Sequence, residues 1–475
     1  MSKAIFWFRQ DLRLEDNPGL FQACTNHSEI ILLYIQDTPV SKLKKTAQSW
    51  WLHHSLNQLN QSLATHKLHL CLKKGNPEDI FKDIFQHHQI DAVYWNRCYE
   101  PQHIHRDQHL KTWLKQVGIQ AQSYNSQLLH EPWEVKNQQG GFFKVFTPYW
   151  KQCLKQLQIQ HPIQINHWPT PIDYFGDNLD EWQLLPNKPN WAVEFDTLWQ
   201  PGEQGAEARL KNFIQHKLCI YKNGRDFPAL QATSNLSPHL HFGEISPWKI
   251  YRKVSSYLLE HFEHDDQIKH FLSELGWREF SYHLLFHFPT LASENFKSNF
   301  NRFPWHKDDA AFLRWKQGQT GYPIVDAGMR ELWHTGTMHN RVRMIVASFL
   351  VKDLFVDWRE GAKWFNLTLL DADMASNNAS WQWVAGSGAD AAPYFRIFNP
   401  ILQGEKFDPE GIYIRKWVKE LEKIPNKWIH HPWDAPSHQL PITLGLHYPH
   451  PIVNHNQARD QALSYYQKIK VQSLD

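Results

Sequence analysis

The hydrophobic period changes once along this chain, near residue 205, and that change restricts the fold more than any other feature. Before it, short apolar, β-rich runs recur: "AIFWF" from Ala4, "EIILLYI" from Glu29, "LHLCLKK" from Leu68, "DAVYWN" from Asp91 and "IQAQSYN" from Ile119. Between them lie "SWWLHHSLNQLNQSL", "EDIFKDIFQHH" and "HRDQHLKTWLKQV", whose apolar residues fall at three- and four-residue steps, as one face of a helix requires. Strand and helix in alternation predict a parallel, Rossmann-like sheet covered by helices, an α/β domain over residues 1–130. A Pro- and Trp-rich stretch follows ("HWPTPIDYFGDN", "LLPNKPNW") and marks an interdomain linker over 131–204. Beyond it, "GAEARLKNFIQHKLCIY", "DDQIKHFLSELGWREFSYHLLFHF", "DAGMRELWH" and "NRVRMIVASFLVKDLFVDW" all keep the helical period, predicting an all-α domain over 205–475.

Several function classes drop out. No G-x-G-x-x-G follows the first strand, so the usual dinucleotide fingerprint is missing. The five cysteines, Cys24, Cys71, Cys98, Cys153 and Cys219, form no C-x-x-C pair, and the histidines show no H-E-x-x-H spacing, so no metal site is expected. The scattered cysteines also predict a reducing, cytoplasmic setting, and no membrane partner is expected, because no apolar run approaches the roughly 20 residues that span a bilayer. A net charge of +2 decides nothing about nucleic acid, since one face can be basic on a neutral whole.

Four groups of residues in the second half could carry chemistry. "DADMASNNASWQWV", set on a helix from Asp371 to Val384, places Asp373, Asn377 and Trp381 at i, i+4 and i+8 on one stripe and sends Trp383 elsewhere. Inward acid and amide groups need hydrogen-bond partners, which a flat heteroaromatic ligand, a neighbouring helix end or buried water would each supply. "ATSNLSPHLHFGEISP" carries Ser237-Pro238 and Ser246-Pro247, each fitting an N-cap serine with proline at the first helical position; Thr233, Ser234 and Ser237 then gather hydroxyls at a helix start, suited to a phosphate or to plain capping. "ELGWREF" sets Glu274, Trp277 and Arg278 at i, i+3 and i+4, and "HNRVRM" sets Asn340 and Met344 at i and i+4 with Arg341 and Arg343 beside them. Acid, amide, indole and thioether on helix faces suit a pocket that reads a base edge and packs on its face, and equally suit satisfied core groups or surface ion pairs.

In order, "FWFRQDLRLEDNPGL", "TSNLSPHLHFGEISP", "ELGWREF", "TGYPIVDAGMRELWHTGTMHNRVRM" and "DADMASNNASWQWVAGSGADAAPYFRIFNP" resemble the photolyase/cryptochrome family almost end to end. The resemblance implies an antenna-binding α/β domain and a helical domain that holds FAD in a folded form and acts on UV-damaged DNA as a monomer. It implies cofactor contacts from Tyr221, Thr233, Ser234, Asn235, Leu236, Ser237, Phe271, Arg278, Arg343, Asp371, Ala372 and Asp373, with Asn377 beside the flavin N5. Trp381, Trp358 and Trp305 match the family's electron-transfer chain. Glu274, Trp277, Asn340, Arg341, Met344, Trp383, Arg225 and Gln403 match its DNA- and lesion-binding positions, with Lys406 a further candidate for the backbone.

Within the family, Glu274, Asn340 and Met344 resemble the pattern for cyclobutane pyrimidine dimers, whereas six-four enzymes carry a histidine pair where this chain reads "MHNRVRM". Plant-type cryptochromes replace the amide by aspartate and often add a C-terminal tail; Asn377 and an end at Asp475 favour repair, with blue-light signalling through a partner as the alternative. The overall pattern is most like a bacterial class I deoxyribodipyrimidine photo-lyase, with class III open. Folate-binding members have an acidic residue shortly after "YE", where this chain has Gln102 and His103, so methenyltetrahydrofolate, a deazaflavin and no antenna all stay open.

Overall fold

In the computed structural model, residues 2–37, 46–391 and 395–471 are described, and they divide into two compact units, each taken by itself below. The first unit is built on the expected sheet. Strands β1 (Lys3–Phe8), β2 (Glu29–Gln36), β3 (Leu70–Lys74), β4 (Ala92–Asn96) and β5 (Gln120–Tyr124) lie parallel in the order β3-β2-β1-β4-β5. Helices α1 (Pro18–Asn26), α2 (Ala47–Ala64), α3 (Pro77–His87) and α4 (Pro101–Gln116) connect them. Covering both faces of a parallel sheet makes its strands apolar throughout, and five of the six residues of β1 are buried. Asn17, Thr46 and Asn76 each accept a hydrogen bond from a backbone N–H of the helix they precede, so side chains set the starts of α1, α2 and α3.

The strand order reverses between β1 and β4, the place where open α/β sheets usually admit a ligand. Just after β1, Arg9 donates to both carboxylate oxygens of Asp107 at 2.8 and 2.7 Å, while Asp107 also accepts from Trp95 Nε1 at 3.1 Å. Burial pushes the Asp107 carboxyl up, but Arg9 and Arg106 outweigh it and leave the carboxyl below its ordinary range.

The stretch expected as linker carries more structure than its composition announces. It includes helix α5 (Phe146–Gln156) and a two-residue strand β6 (Thr170–Pro171), which pairs with Glu29 and Ile30 of β2. Nor do the compact units divide near residue 205. The first unit keeps α6 (Glu203–His216), α7 (Pro247–Glu260) and α8 (Asp265–His287). Two features tie α8 to it. Buried Glu279 accepts from the N–H groups of Leu129 and His130, and the Trp150 ring lies so near Gly276 that a Cβ there would come within 2.6 Å of it.

The second unit is helical, as the period after residue 205 requires. Its main core gathers α9 (Asp309–Lys316), α10 (Pro323–Thr335), α11 (Asn340–Ser348), α12 (Trp358–Thr368) and α13 (Met374–Ala385), with α14 (Pro400–Phe407) beside them; α15 (His455–Val471) packs on a smaller cluster of Phe300, Phe303 and Phe355. Glycines set the close helix approaches. A Cβ on Gly328 of α10 would lie 2.4 Å from Val342 Cγ1 of α11, and one on Gly361 of α12 would lie 2.2 Å from Trp381 Cη2 of α13. After Ser348 the helix widens into a π turn over Phe349–Asp353. Among the described residues, no helix is long and apolar enough to cross a membrane.

Candidate flavin and nucleic-acid site

The segment from Asp371 to Trp383 departs from its expected geometry in one respect. Asp371 and Asp373 precede the helix: Asp373 is the N-cap of α13 and its Oδ1 accepts from Ser376 N at 2.7 Å. Aspartate bonds a free N–H at a helix start better than it serves in a helix interior, so the helix begins at Met374. Asn377 and Trp381 do share a buried stripe, four residues apart. Asn377 spends its amide hydrogens on α12, donating Nδ2 to Ala362 O at 3.1 Å and to Asn366 Oδ1 at 2.8 Å. What it keeps for a ligand is the Oδ1 acceptor. Asn366 has no local sequence signal, because its importance depends on α12 lying against α13.

Arg343 is oriented by three partners. Its Nε donates to Met338 O at 2.7 Å, and its Nη2 donates to Thr337 Oγ1 at 3.3 Å and to both oxygens of Asp371, at 3.1 and 3.0 Å. Ala372, between the two acids, is buried.

Trp381 is buried against Gly361, with Phe365 at 5.0 Å and Trp315 at 6.4 Å between ring centroids, and its Nε1 has no hydrogen-bond partner among the described residues. Trp358, fully buried, donates Nε1 to Asn295 Oδ1 at 2.9 Å. Trp305 is half-buried and packs on the same apolar cluster that holds Trp358 and Trp381. The three expected relay indoles thus share one cluster, two in its interior and one at its edge. Trp315 also lies in that cluster and was not singled out in the sequence; its Nε1 donates to Val346 O. Trp383 points away from Trp381 as expected, donating Nε1 to Asp390 O at 3.1 Å.

On α11, Asn340 is exposed at the first position and Met344 and Arg341 are part-buried, while Val342 and Ile345 face the core. Arg341 pairs with Asp226 at 2.9 Å, its guanidinium 4.3 Å from the centre of the Phe407 ring, and Arg225 stands 5.5 Å from the buried Tyr221 ring. Gln403 is part-buried and Lys406 exposed on α14. Thr233, part-buried, ends the stretch of this unit that begins at Ile220.

The first unit holds the other candidates. Ser246 behaves as expected, its Oγ accepting from Trp248 N and Lys249 N at the start of α7. Ser237 does not: it is the first residue of a five-residue helix whose N-cap is the buried Leu236. Ser234 Oγ accepts from Leu236 N at 3.4 Å and Asn235 has a left-handed φ of 52°, so a tight turn leads into that helix. On α8, Glu274, Trp277 and Arg278 lie part-exposed on one face, and Phe271 is buried against Phe213 at 4.6 Å. Arg278 donates Nη1 to Gln127 O at 2.6 Å and stacks 4.9 Å from the Tyr282 ring. Among the described residues no cluster of metal-ligating side chains occurs.

Two family models match the chain, and the second begins within α8, which packs with the first unit. Residues 4–171 match the model for DNA photolyase, and residues 271–468 match that for the FAD binding domain of DNA photolyase. The chain is 48% identical to a deoxyribodipyrimidine photo-lyase of Agrobacterium fabrum over 98% of both chains. It is 38% identical to cryptochrome-2 of Arabidopsis thaliana, over 96% of this chain and 78% of the plant protein. Among solved structures it resembles a bacterial class III photolyase from Agrobacterium tumefaciens with a TM-score of 0.95 and 48% identity, covering 99% of this chain and 98% of that one. The chain therefore belongs to the DNA photolyase family.

Proposed function

We propose that the protein repairs cyclobutane pyrimidine dimers in DNA in a light-dependent reaction that uses reduced FAD. The observation that carries this reading is the state of Asn377, whose amide hydrogens are held by α12 while its carbonyl oxygen stays available, which suits an N–H on the edge of a reduced flavin. Other residues suit the rest of that cofactor: Arg343 and Asp371 offer a fixed cation and carboxylate to a polar ring edge, and Tyr221, Thr233 to Ser237, Phe271, Arg278, Ala372 and Asp373 would hold the remainder. When bound, FAD supplies one electron to the dimer under blue light and recovers it after the cyclobutane ring has opened.

The chain's own residues do the rest. Trp305, Trp358 and Trp381 share one apolar cluster, one at its edge and two in its interior, and would pass electrons inward to keep the cofactor reduced. Trp277 and Trp383 would pack on the flipped-out bases, a conformation that is cheaper for a damaged, poorly stacked pair. Glu274 would stabilise the charge that develops on a pyrimidine oxygen, and Asn340 and Met344 would be further contacts to the dimer. Arg225, Arg341, Gln403 and Lys406 would hold the backbone, positioning DNA without reading sequence.

The amide at position 377 and the higher identity to a photo-lyase than to a cryptochrome favour repair over signalling. The likeness to a class III structure moves our reading of the subclass from class I to class III. An antenna chromophore, a folate or a deazaflavin where one is bound, would belong to residues 1–130, and the cofactor and DNA contacts named above all fall within 205–475. Replacing Glu274 by Gln and by Ala tests the central role: repair per absorbed photon should fall in E274A with cofactor content unchanged, and an unchanged yield refutes it.

A further inference from the structure

His339 sits immediately before α11 and is its N-cap, with Nδ1 accepting from Arg341 N at 3.3 Å. An imidazole nitrogen that accepts carries no proton, so the neutral ring keeps its hydrogen on Nε2. That Nε2 is buried and has no hydrogen-bond partner among the described residues, and the same holds for Nε of Arg341. Among the described residues, two N–H donors at one helix start therefore lack acceptors, and a buried donor left so is unfavourable. The surroundings are cationic: burial, together with Arg225, Arg341 and Arg343, pushes the ring down to about 4 against the opposing pull of Asp226. Below the ring, Glu331 accepts from His339 N at 3.1 Å and from Tyr413 Oη at 2.6 Å, and burial raises its own carboxyl. Asp226 pairs with Arg341 at 2.9 Å and lies 4.0 Å from Arg225, with a side chain 37% exposed that is able to turn to water.

We propose that His339 is a neutral hydrogen-bond donor to a phosphodiester of bound DNA, in an anion site whose cations are Arg225 and Arg341 and where Asp226 stands until the phosphate replaces it. This deepens the reading above and rests on it. A charged donor and a neutral one leave different marks. Each cation that neutralises a phosphate releases counterions and steepens the salt dependence of binding, by about 0.9 in the slope of log K against log salt for duplex DNA. A neutral imidazole strengthens binding without changing that slope.

The test is fluorescence anisotropy with a UV-irradiated duplex carrying a thymine dimer, across a range of salt at pH 6 and pH 8, with FAD bound. His339→Asn retains an excellent N-cap and removes the Nε2 donor; His339→Gln reaches the Nε2 position and gives up the cap. H339N should bind about tenfold more weakly, the weight of one hydrogen bond to a charged group. Its salt slope should be that of the unmutated protein, and its loss the same at both pH values. H339Q should bind like the unmutated protein while melting at lower temperature. R341A should reduce the slope by about one. Unchanged binding in H339N overturns the proposal, and so does a changed slope or a loss that grows at pH 6, either of which would make the ring a cation. If the unmutated protein does not bind the duplex at all, the DNA-repair reading falls first and this proposal with it.

Discussion

Gly361 is where the second unit's packing and its proposed electron path meet, and a single methyl group tests both. A Cβ at this position would lie 2.2 Å from Trp381 Cη2, 2.6 Å from Cζ3 and 2.7 Å from Cζ2, all on the benzo ring of the indole. Carbon atoms pack at about 3.5–4.0 Å, so Gly361→Ala requires the ring to move by roughly 1.3 Å or more within a cluster that includes Phe365 and Trp315. Neither can yield freely, since both are buried. Overpacking of this kind costs about 1–3 kcal/mol, or several degrees in Tm for a unit of this size. Trp381→Phe removes the benzo-ring atoms that clash, so the double variant G361A/W381F should lose at least 1 kcal/mol less than the sum of its parts. Denaturant unfolding of the four proteins measures this. Additive losses, or a G361A protein as stable as its parent, would refute the packing argument. The same displacement should slow light-driven reduction of the bound cofactor in G361A, a second readout on the same methyl.

Three other outcomes follow from the described geometry. Trp305→Phe and Trp358→Phe should each abolish most light-driven reduction while leaving dimer repair intact once the cofactor has been reduced chemically; equal loss of both would make the residues structural only. Asn377→Asp sets a carboxylate against Ala362 O and Asn366 Oδ1, acceptor to acceptor, and should cost about 1–3 kcal/mol in stability and shift the cofactor's midpoint potential, measured by titration with a mediator dye. Buried Lys352, whose Nζ donates to Arg396 O, is pushed down to about 7 chiefly by burial. The unfolded chain therefore binds more protons at this lysine than the folded one between pH 7 and about 10.5, and its contribution to stability rises with pH across that window. Tm should gain less from pH 7 to 9 in Lys352→Met than in the unmutated protein, and parallel pH profiles would contradict the assignment.

Hydrophobic period made the architecture legible. The five long strands fall where the apolar runs end in turn residues, and the helices after residue 205 keep their three- and four-residue steps. Local patterns misplaced caps: Asp373 looked like a helix residue and is an N-cap, and Ser237 looked like a cap and is the first helical residue, because Ser234 and Asn235 make the turn before it. A cap depends on backbone angles that a Ser-Pro pair permits and does not impose. Composition also hid β6, whose pairing with β2 is set by the distant strand it meets, and it hid Asn366, which matters only through its bond to Asn377 on the next helix. Most site residues were found through family resemblance in long ordered motifs, which spacing alone left open to ordinary capping and core packing. His339 shows the remaining gap: nothing in its sequence neighbourhood marks it, and its interest appears only once its Nδ1 is seen to be committed and its Nε2 buried.

The central claim is repair, and one illumination experiment addresses it. The protein, with FAD bound and chemically reduced, is mixed with UV-irradiated oligothymidine and exposed to blue light beside a dark control. The account predicts that thymine absorbance returns in the light only, in proportion to dose, and that E274A returns less per photon. Absorbance that stays flat although the reduced cofactor and the oligonucleotide are both bound would contradict it.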